Sequence, residues 1–473
     1  MSLPVATITA ALLAQTLTLD TVLERARELH PTIAAADADV DVGRGEVLAA
    51  DGAFDPMLRA SARGEAGTYQ AGLADAGLSL LTPVWGTSVS GGYRLGLGDY
   101  PIYDGKRKTN DGGEFRLGAR LPLLRDREID SARGGLALRQ NDLERRSRAA
   151  DRAIFDIQRA ALSAYADWLA AGAALDVADE LLGLATLRDE QLTQRARVGD
   201  VPALELSDNA RLVAQRRSRQ VGARRSLERT ALTLSLFIRD DNGQPQLPER
   251  TALPKLAVVH DGGVVSAEQH KSELDQALRA RPELQELQAQ LAVVDTELAL
   301  ADNALLPSLA LSGAVSQDVG PTHAPLSSSS SVWAPDAKTR DLPEASLDLS
   351  FEMPVLLRQA RGRREAALAV RARTLAQLRL LQDRVAVEVM DARSAITAAE
   401  ERFAAATAAQ AAASVVLEGE KQRYDAGDST LVVVNLREEA LAEARLQVKE
   451  AEVEVVRARA ALLLMTTPIV VPR

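Results

Sequence analysis

The heptapeptide Gln194-Arg195-Ala196-Arg197-Val198-Gly199-Asp200 has a counterpart in the second half of this chain, Gln422-Arg423-Tyr424-Asp425-Ala426-Gly427-Asp428. Both end in Gly-Asp, and glycine is favoured where a helix ends and the chain reverses. The 76 residues from Leu123 to Val198 (198 − 123 + 1) contain no proline, which predicts a helix roughly 110 Å long. Apolar residues recur there every seven positions, which favours supercoiled packing. Each heptapeptide is therefore predicted to turn a long antiparallel helical hairpin.

Prolines divide the two halves of the chain at matching places. The interval of 25 residues from Pro31 to Pro56 recurs between Pro282 and Pro307. A repeated order of this kind predicts two structural repeats, each with a helix, a strand region and a long hairpin. The predicted segments are 1–16 as a signal remnant or flexible N-terminus, 17–238 as repeat 1 with strands at about 57–121, 239–272 as a linker, 273–465 as repeat 2 with strands at about 308–353, and 466–473 as a C-terminal tail.

The strand regions alternate apolar with polar residues. The clearest stretches are 58–63, 115–121, 309–315 and 347–353, and weaker alternation at 78–80 and 89–97 leaves open four or six strands. Alternation of this kind is typical of a wall with lipid on one side and a polar lumen on the other, although a half-exposed soluble sheet has the same pattern.

Composition excludes several classes of protein. The 473 residues are 46% hydrophobic but only 3% aromatic, which suits closely packed helices. A net charge of −10 gives no reason to expect a nucleic-acid partner. Because the chain has no cysteine, disulfides and thiol chemistry are excluded. Arginine pairs such as Arg145-Arg146 and Arg216-Arg217 lie among acidic residues and are predicted to be solvated helix faces.

No catalytic constellation emerges from the sequence. None of the four histidines forms a pair at the i, i+4 spacing of a metal-binding helix; they are His30, His260, His270 and His323. The glycine-rich run from Gly91 to Gly98 lacks the Lys-Ser/Thr of a phosphate-binding loop and continues the strand alternation. The sequence therefore predicts no enzyme, no cofactor and no metal site.

The two repeats and their twin heptapeptides resemble the TolC family of outer-membrane factors from about Leu17 to Met465. The stretch Leu121-Pro122-Leu123-Leu124-Arg125 is similar to the family's passage from strand to helix. The resemblance implies a mainly α fold with membrane β. Long α-helical hairpins of a homotrimer would form a periplasmic barrel, and its strands would close an outer-membrane β-barrel. The segment 239–272 and the C-terminal tail would form an equatorial belt.

The function that the resemblance implies is passage through the outer membrane, in contact with its lipid. The chain would be the channel component of a tripartite efflux pump or a type I secretion system. A periplasmic adaptor protein would couple it to an inner-membrane pump or ABC transporter. The alternatives are a periplasmic coiled-coil scaffold without a pore and a secreted enzyme, for which no polar cluster is found.

The resemblance also assigns roles to residues at the hairpin tips. Eight residues are expected to dock the adaptor unless the glycines merely cap helices: Arg195, Val198, Gly199, Asp200, Gln422, Gly427, Asp428 and Ser429. A hydrogen bond between Tyr424 and Glu205 would restrain the closed gate. Val433 and Leu436 stand where the family has aspartates, which predicts an apolar constriction or, alternatively, core positions between helices.

Overall fold

The computed structural model describes residues 16–101, 107–199, 202–255, 267–321 and 342–469. The eight α-helices of these ranges are α1 (Leu19–Leu29), α2 (Pro31–Asp51), α3 (Ser131–Arg197), α4 (Ala203–Ser235), α5 (Ala267–Ala280), α6 (Pro282–Asn303), α7 (Arg358–Asp425) and α8 (Leu431–Thr466). The six strands are β1 (Met57–Glu65), β2 (Ala71–Leu81), β3 (Ser88–Gly98), β4 (Glu114–Pro122), β5 (Ser308–Asp318) and β6 (Glu344–Glu352).

The chain divides into two compact units, and each takes segments from both sequence repeats. The first unit contains the chain up to Ala38, Ser147–Glu286 and the chain from Arg379 onward. The second contains Asp39–Arg146 and Leu287–Leu378. None of the helices in the described ranges is both long and apolar enough to cross a membrane.

The helices begin at signals of two kinds. Pro31 and Pro282 occupy the first positions of α2 and α6, where the fixed φ of proline suits a helix start and its missing N–H costs nothing. Helix α3 begins at Ser131 and not soon after Leu123, because Asp130 caps it. The Asp130 carboxylate accepts hydrogen bonds from the backbone N–H groups of Ala132 and Arg133, both at 2.8 Å.

Side chains in the first unit hold α3 and α4 together as an antiparallel hairpin. Asn209 donates to Asp189 and Gln220 donates to Asp179, each at 2.8 Å. Trp168 of α3 is fully buried in a cluster of largely aliphatic side chains. Helices α7 and α8 form the second hairpin, in which Leu417 packs with Val434 and Leu441. The predicted helical hairpins are therefore present in both repeats.

The second unit contains one antiparallel sheet in the order β1-β2-β3-β4-β5-β6. Within the described ranges the sheet has six strands, because the weak alternation at 78–80 and 89–97 belongs to β2 and β3, which pair from Ala71↔Gly98 to Leu81↔Ser88. The strands β1 and β6 form the two edges of the sheet.

The two faces of this sheet differ in chemistry. On one face Leu58, Leu78 and Leu117 lie level with one another across the strands, and Leu117 is 68% exposed. On the opposite face Arg59 and Arg116 share a level with Glu344. The exposed apolar face also carries Val89, Leu97, Phe115, Val315, Leu347, Leu349 and Phe351. The sheet therefore exposes one apolar face and has one charged face.

Candidate functional site

The turn between α7 and α8 is a glycine-based helix cap. Gly427 has φ of +83°, a conformation that favours glycine. Its N–H donates to the Tyr424 carbonyl at 3.0 Å, and the Asp428 N–H donates to the Arg423 carbonyl at 2.8 Å. These two bonds define a Schellman motif, which satisfies carbonyls left free at the end of α7. The cap fixes the backbone, while the side chain of Gln422 remains exposed.

The turn between α3 and α4 begins in the same way. Gly199 has φ of +79° and its N–H donates to the Ala196 carbonyl at 3.0 Å. Arg195 and Val198 are exposed beside it, Val198 at 79%. Asp200, the remaining docking residue predicted here, lies outside the described residues.

Ser429 lies at the second tip beside a buried carboxylate. The Ser429 hydroxyl is hydrogen-bonded to the carboxylate of Glu420, a residue that is only 7% exposed. The Arg423 guanidinium lies 3.7 Å from the same carboxylate. The Arg423 guanidinium also donates to the Asp428 carbonyl at 3.3 Å. The second tip is thus held by side chains of α7 as well as by its glycine.

The predicted gate residues occupy different environments. Tyr424 packs against the cluster of Leu417, Val434 and Leu441. No hydrogen bond between Tyr424 and Glu205 is present in the described part of the chain, and the restraint of the gate by this pair stays a prediction. Val433 is half-buried and Leu436 is 60% exposed. Leu436 is therefore not a core position within one chain, although a role in gating remains a prediction.

A buried ion cluster near these tips escaped the sequence analysis. Glu438 of α8 accepts hydrogen bonds from Arg188 of α3 at 2.5 and 3.1 Å and from Arg216 of α4 at 3.4 Å. Arg188 also donates to Asn435, and Arg216 donates to the Leu181 carbonyl at 2.9 Å. The cluster joins α8 to both helices of the first hairpin.

The predicted solvated face at Arg216 is wrong. Its side chain is 4% exposed and that of Glu438 is 2% exposed. Burial lowers the pKa of Arg216, and the Glu438 carboxylate offsets part of this effect. Arg145 and Arg146 are also half-buried, and both bind Asp142 at 2.8 Å. Charged pairs in the sequence thus mark contacts between or within helices as well as solvated faces.

The charged face of the sheet has its own network. Asp75 on β2 accepts from Arg94 on β3 at 2.9 Å and from Arg116 on β4 at 2.5 Å. Asp75 and Arg116 line a concavity of about 820 Å³ that is also lined by Arg59. The described ranges contain no group of three or more His, Cys, Asp and Glu side chains placed to hold a metal ion.

Three solved structures that share this fold are described as outer-membrane proteins or channels. The outer-membrane channel OprN superposes with a TM-score of 0.65 at 16% identity, covering 95% of this chain and 89% of that chain. The outer membrane protein VceC of Vibrio cholerae gives 0.63 at 17%, covering 95% of each chain. The Campylobacter jejuni CmeC outer membrane channel gives 0.62 at 13%, covering 95% of this chain and 85% of that chain. Among curated proteins no relative matches the chain.

The chain therefore has the fold of an outer-membrane channel. Residues 274–466 match the model of the family described as outer membrane efflux protein. The predicted resemblance to the TolC family of outer-membrane factors is confirmed by this match together with the fold.

Proposed function

We propose that this protein is the outer-membrane channel component of an efflux pump or type I secretion system and acts as a passive exit duct. The observation that carries the proposal is the sheet, which exposes an apolar face and has a charged one. An apolar band on one face and a polar opposite face are the requirements of a wall between lipid and a water-filled lumen. A periplasmic scaffold is not favoured, since it would leave Leu117, Leu347 and Phe351 in water at 66–77% exposure.

The working form is a homotrimer. An edge strand has unpaired N–H and C=O groups, and in lipid each such group costs several kcal/mol. Since β1 and β6 form the two edges of the sheet, copies of the chain satisfy each other's edges by closing a ring. Three copies of six strands give eighteen, a number at which barrels enclose an aqueous channel.

The helical tips are the surface that meets the adaptor, which couples the duct to an inner-membrane pump or transporter. Arg195, Val198, Gln422 and Asp428 are exposed at capped turns. Ser429 belongs to the second of these turns, and Asp200 follows Gly199 in the sequence. A rigid backbone with exposed, chemically mixed side chains suits a docking surface.

The first prediction tests the orientation of the sheet in the membrane. Leu78→Asp places a carboxylate on the apolar face, whereas Ser79→Asp places one on the charged face of the same strand. A lipid-facing Arg or Lys at the bilayer midplane destabilises a barrel by about 2–4 kcal/mol, and a lipid-facing Asp is also destabilising, though by less. We expect Leu78→Asp to reduce heat-modifiable trimers in the outer-membrane fraction at least tenfold, and Ser79→Asp to leave them near the wild-type level.

The amount of trimer in the outer-membrane fraction and the rate of export are measured on the same cells. Loss of export that parallels the loss of trimers supports the duct. The proposed function is overturned if wild-type protein fractionates with the soluble periplasm, or if both variants assemble equally well.

A further inference from the structure

Charge is unevenly distributed over the charged face of the sheet. The ionisable residues of β1 to β4 on this face are Arg59, Arg63, Glu65, Asp75, Arg94, Glu114, Arg116 and Arg120. The ionisable residues of β5 and β6 on this face are all acidic: Asp318, Glu344, Asp348 and Glu352. On this face the β1 edge therefore carries two arginines and one glutamate, whereas the β6 edge carries carboxylates only.

Several charges on the edge strands have no ion-pair partner on a neighbouring strand among the described residues. In the sheet interior Asp75 is bound by two arginines. At the edges, no ion pair involves Arg59, Asp348 or Glu352 among the described residues, and Arg63 contacts only Glu65 of its own strand, at 3.0 Å. Such an arrangement suits an oppositely charged neighbouring strand.

We propose that β6 of one copy pairs antiparallel with β1 of the next, in the register that places Glu352 opposite Arg59 and Asp348 opposite Arg63. This proposal rests on the proposed function, since it requires copies to assemble around a pore. The pairing of β6 with β1 defines which residues of neighbouring copies lie opposite one another. An even number of antiparallel strands per chain makes this edge-to-edge pairing antiparallel.

The strand tilt that this register would produce in a closed barrel supports the register. Straight across the sheet, one line of paired residues runs Met57, Ser79, Ser90, Gly118, Ala314, Ser346. In the proposed register Ser346 then faces Glu65 of the next copy, which is eight residues beyond Met57 along β1.

This shift determines the angle between the strands and the barrel axis. Eight residues at about 3.4 Å, divided by six strands at about 4.8 Å, give a tilt of about 43°. Barrel strands are typically tilted by about 35–45°. A shift of six residues gives about 35° and a shift of four gives about 25°, so the last of these is disfavoured.

Charge distinguishes the two registers that the tilt allows. With a shift of six residues, Glu344 faces Glu65 and both arginines face serines, so like charges meet across the strands. With a shift of eight, both arginines face carboxylates and Glu65 faces Ser346. A shift of four also places both arginines opposite carboxylates, but its tilt is too small, so of these three registers only the shift of eight satisfies both the tilt and the charge criteria.

The apolar face agrees with the choice. The same register places Phe351 opposite Ala60, Leu349 opposite Ala62 and Leu347 opposite Gly64. Large side chains of β6 thus meet small residues of β1, which suits cross-strand packing.

Because the chain contains no cysteine, disulfide cross-linking can measure the register directly in the full-length protein. Directly opposite residues lie about 4.5–5.5 Å apart at Cα, within the range of a disulfide, whereas residues displaced by two along the strand lie beyond it. Ser61→Cys is combined in turn with Ser350→Cys, Asp348→Cys and Ser346→Cys, which correspond to shifts of eight, six and four. Isolated outer membranes are treated with a mild oxidant so that paired cysteines form disulfides. The membrane proteins are then separated on non-reducing gels.

We expect Ser61→Cys with Ser350→Cys to link copies into covalent dimers and trimers, with at least fivefold more product than either other pair. Co-expression of the two single variants on differently tagged chains shows that the bond joins different copies. A dominant product from another pair overturns the register. Trimers without a cross-link from any pair overturn the edge pairing but not the channel, whereas the absence of outer-membrane trimers overturns the proposed function itself.

Charge exchange provides a second measurement that needs no cysteine. Arg63→Asp should lower the yield of heat-resistant trimers several-fold, and adding Asp348→Arg should restore it. Arg63→Asp with Glu344→Arg, the partner for a shift of four, should not. Equal rescue by both arginines would contradict the assigned pairing.

Discussion

Glu438 shows how one residue can join several long helices. Its side chain is 2% exposed and bound by Arg188 and Arg216, which lie on different helices of the first hairpin. Removing one partner of a buried ion cluster leaves uncompensated charge, which costs about 3–5 kcal/mol. The fully apolar replacement of such clusters is often tolerated. The cluster therefore matters more for how these helices are positioned than for net stability.

We expect Glu438→Gln to destabilise the helical unit by about 3–5 kcal/mol, because Arg216 then stays buried without a carboxylate. The measurement is the midpoint of denaturant unfolding, followed by the helical circular dichroism signal. The adjacent Glu439→Gln is the control. Its pair with Arg219 is about half-exposed, so we expect a change of at most about 1 kcal/mol. Equal effects of the two substitutions would show that burial of the cluster is unimportant.

Local signals in the sequence predict most of the elements. Proline starts α2 and α6, glycine ends α3 and α7, and alternation marks the strands. The start of α3 could not be predicted, since the chain before it is held by distant residues: the Leu123 N–H donates to the Leu309 carbonyl and the Arg125 N–H donates to the Pro307 carbonyl. The role of Arg216 was also missed, because its partner Glu438 lies 222 residues away in the chain.

Substitutions of surface residues at the helical tips test whether the tips dock the adaptor. Val198→Trp adds bulk to an exposed position outside the helical core, and Ser429→Trp does so at the other tip, where it also removes the bond to Glu420. We expect both to abolish export while leaving trimers intact, because the proposed function places the adaptor at the tips. Export and cross-linking to the adaptor are measured together.

A bulky residue elsewhere on the helices controls for general effects. Val221→Trp alters α4 at a position that is 56% exposed and lies outside the tips. It should retain export at the wild-type level. Normal export by both tip variants at full expression would remove the support for docking there.

At the scale of the whole molecule, assembly gives the exposed residues their function. Leu436 is 60% exposed on α8 although it is apolar, and the proposed trimer would contain three copies of this side chain. If they line the tip aperture, the constriction is apolar and closes by dewetting and side-chain contact. The ring of Tyr424 packs against Val434 and its neighbours, and we expect this packing to contribute to the gate.

The last prediction separates this gate from one held by hydrogen bonds. Leu436→Asp places three carboxylates at the constriction, where their hydration and mutual repulsion favour the open pore. We expect a several-fold rise in single-channel conductance in planar bilayers and greater sensitivity of cells to large antibiotics. Tyr424→Phe should leave both unchanged, because the ring remains packed, whereas Tyr424→Ala should open the channel. Leu463→Asp, at a similarly exposed position of α8, is the control for added charge and should conduct like wild type. A conductance increase from Tyr424→Phe alone would instead assign the gate to its hydroxyl.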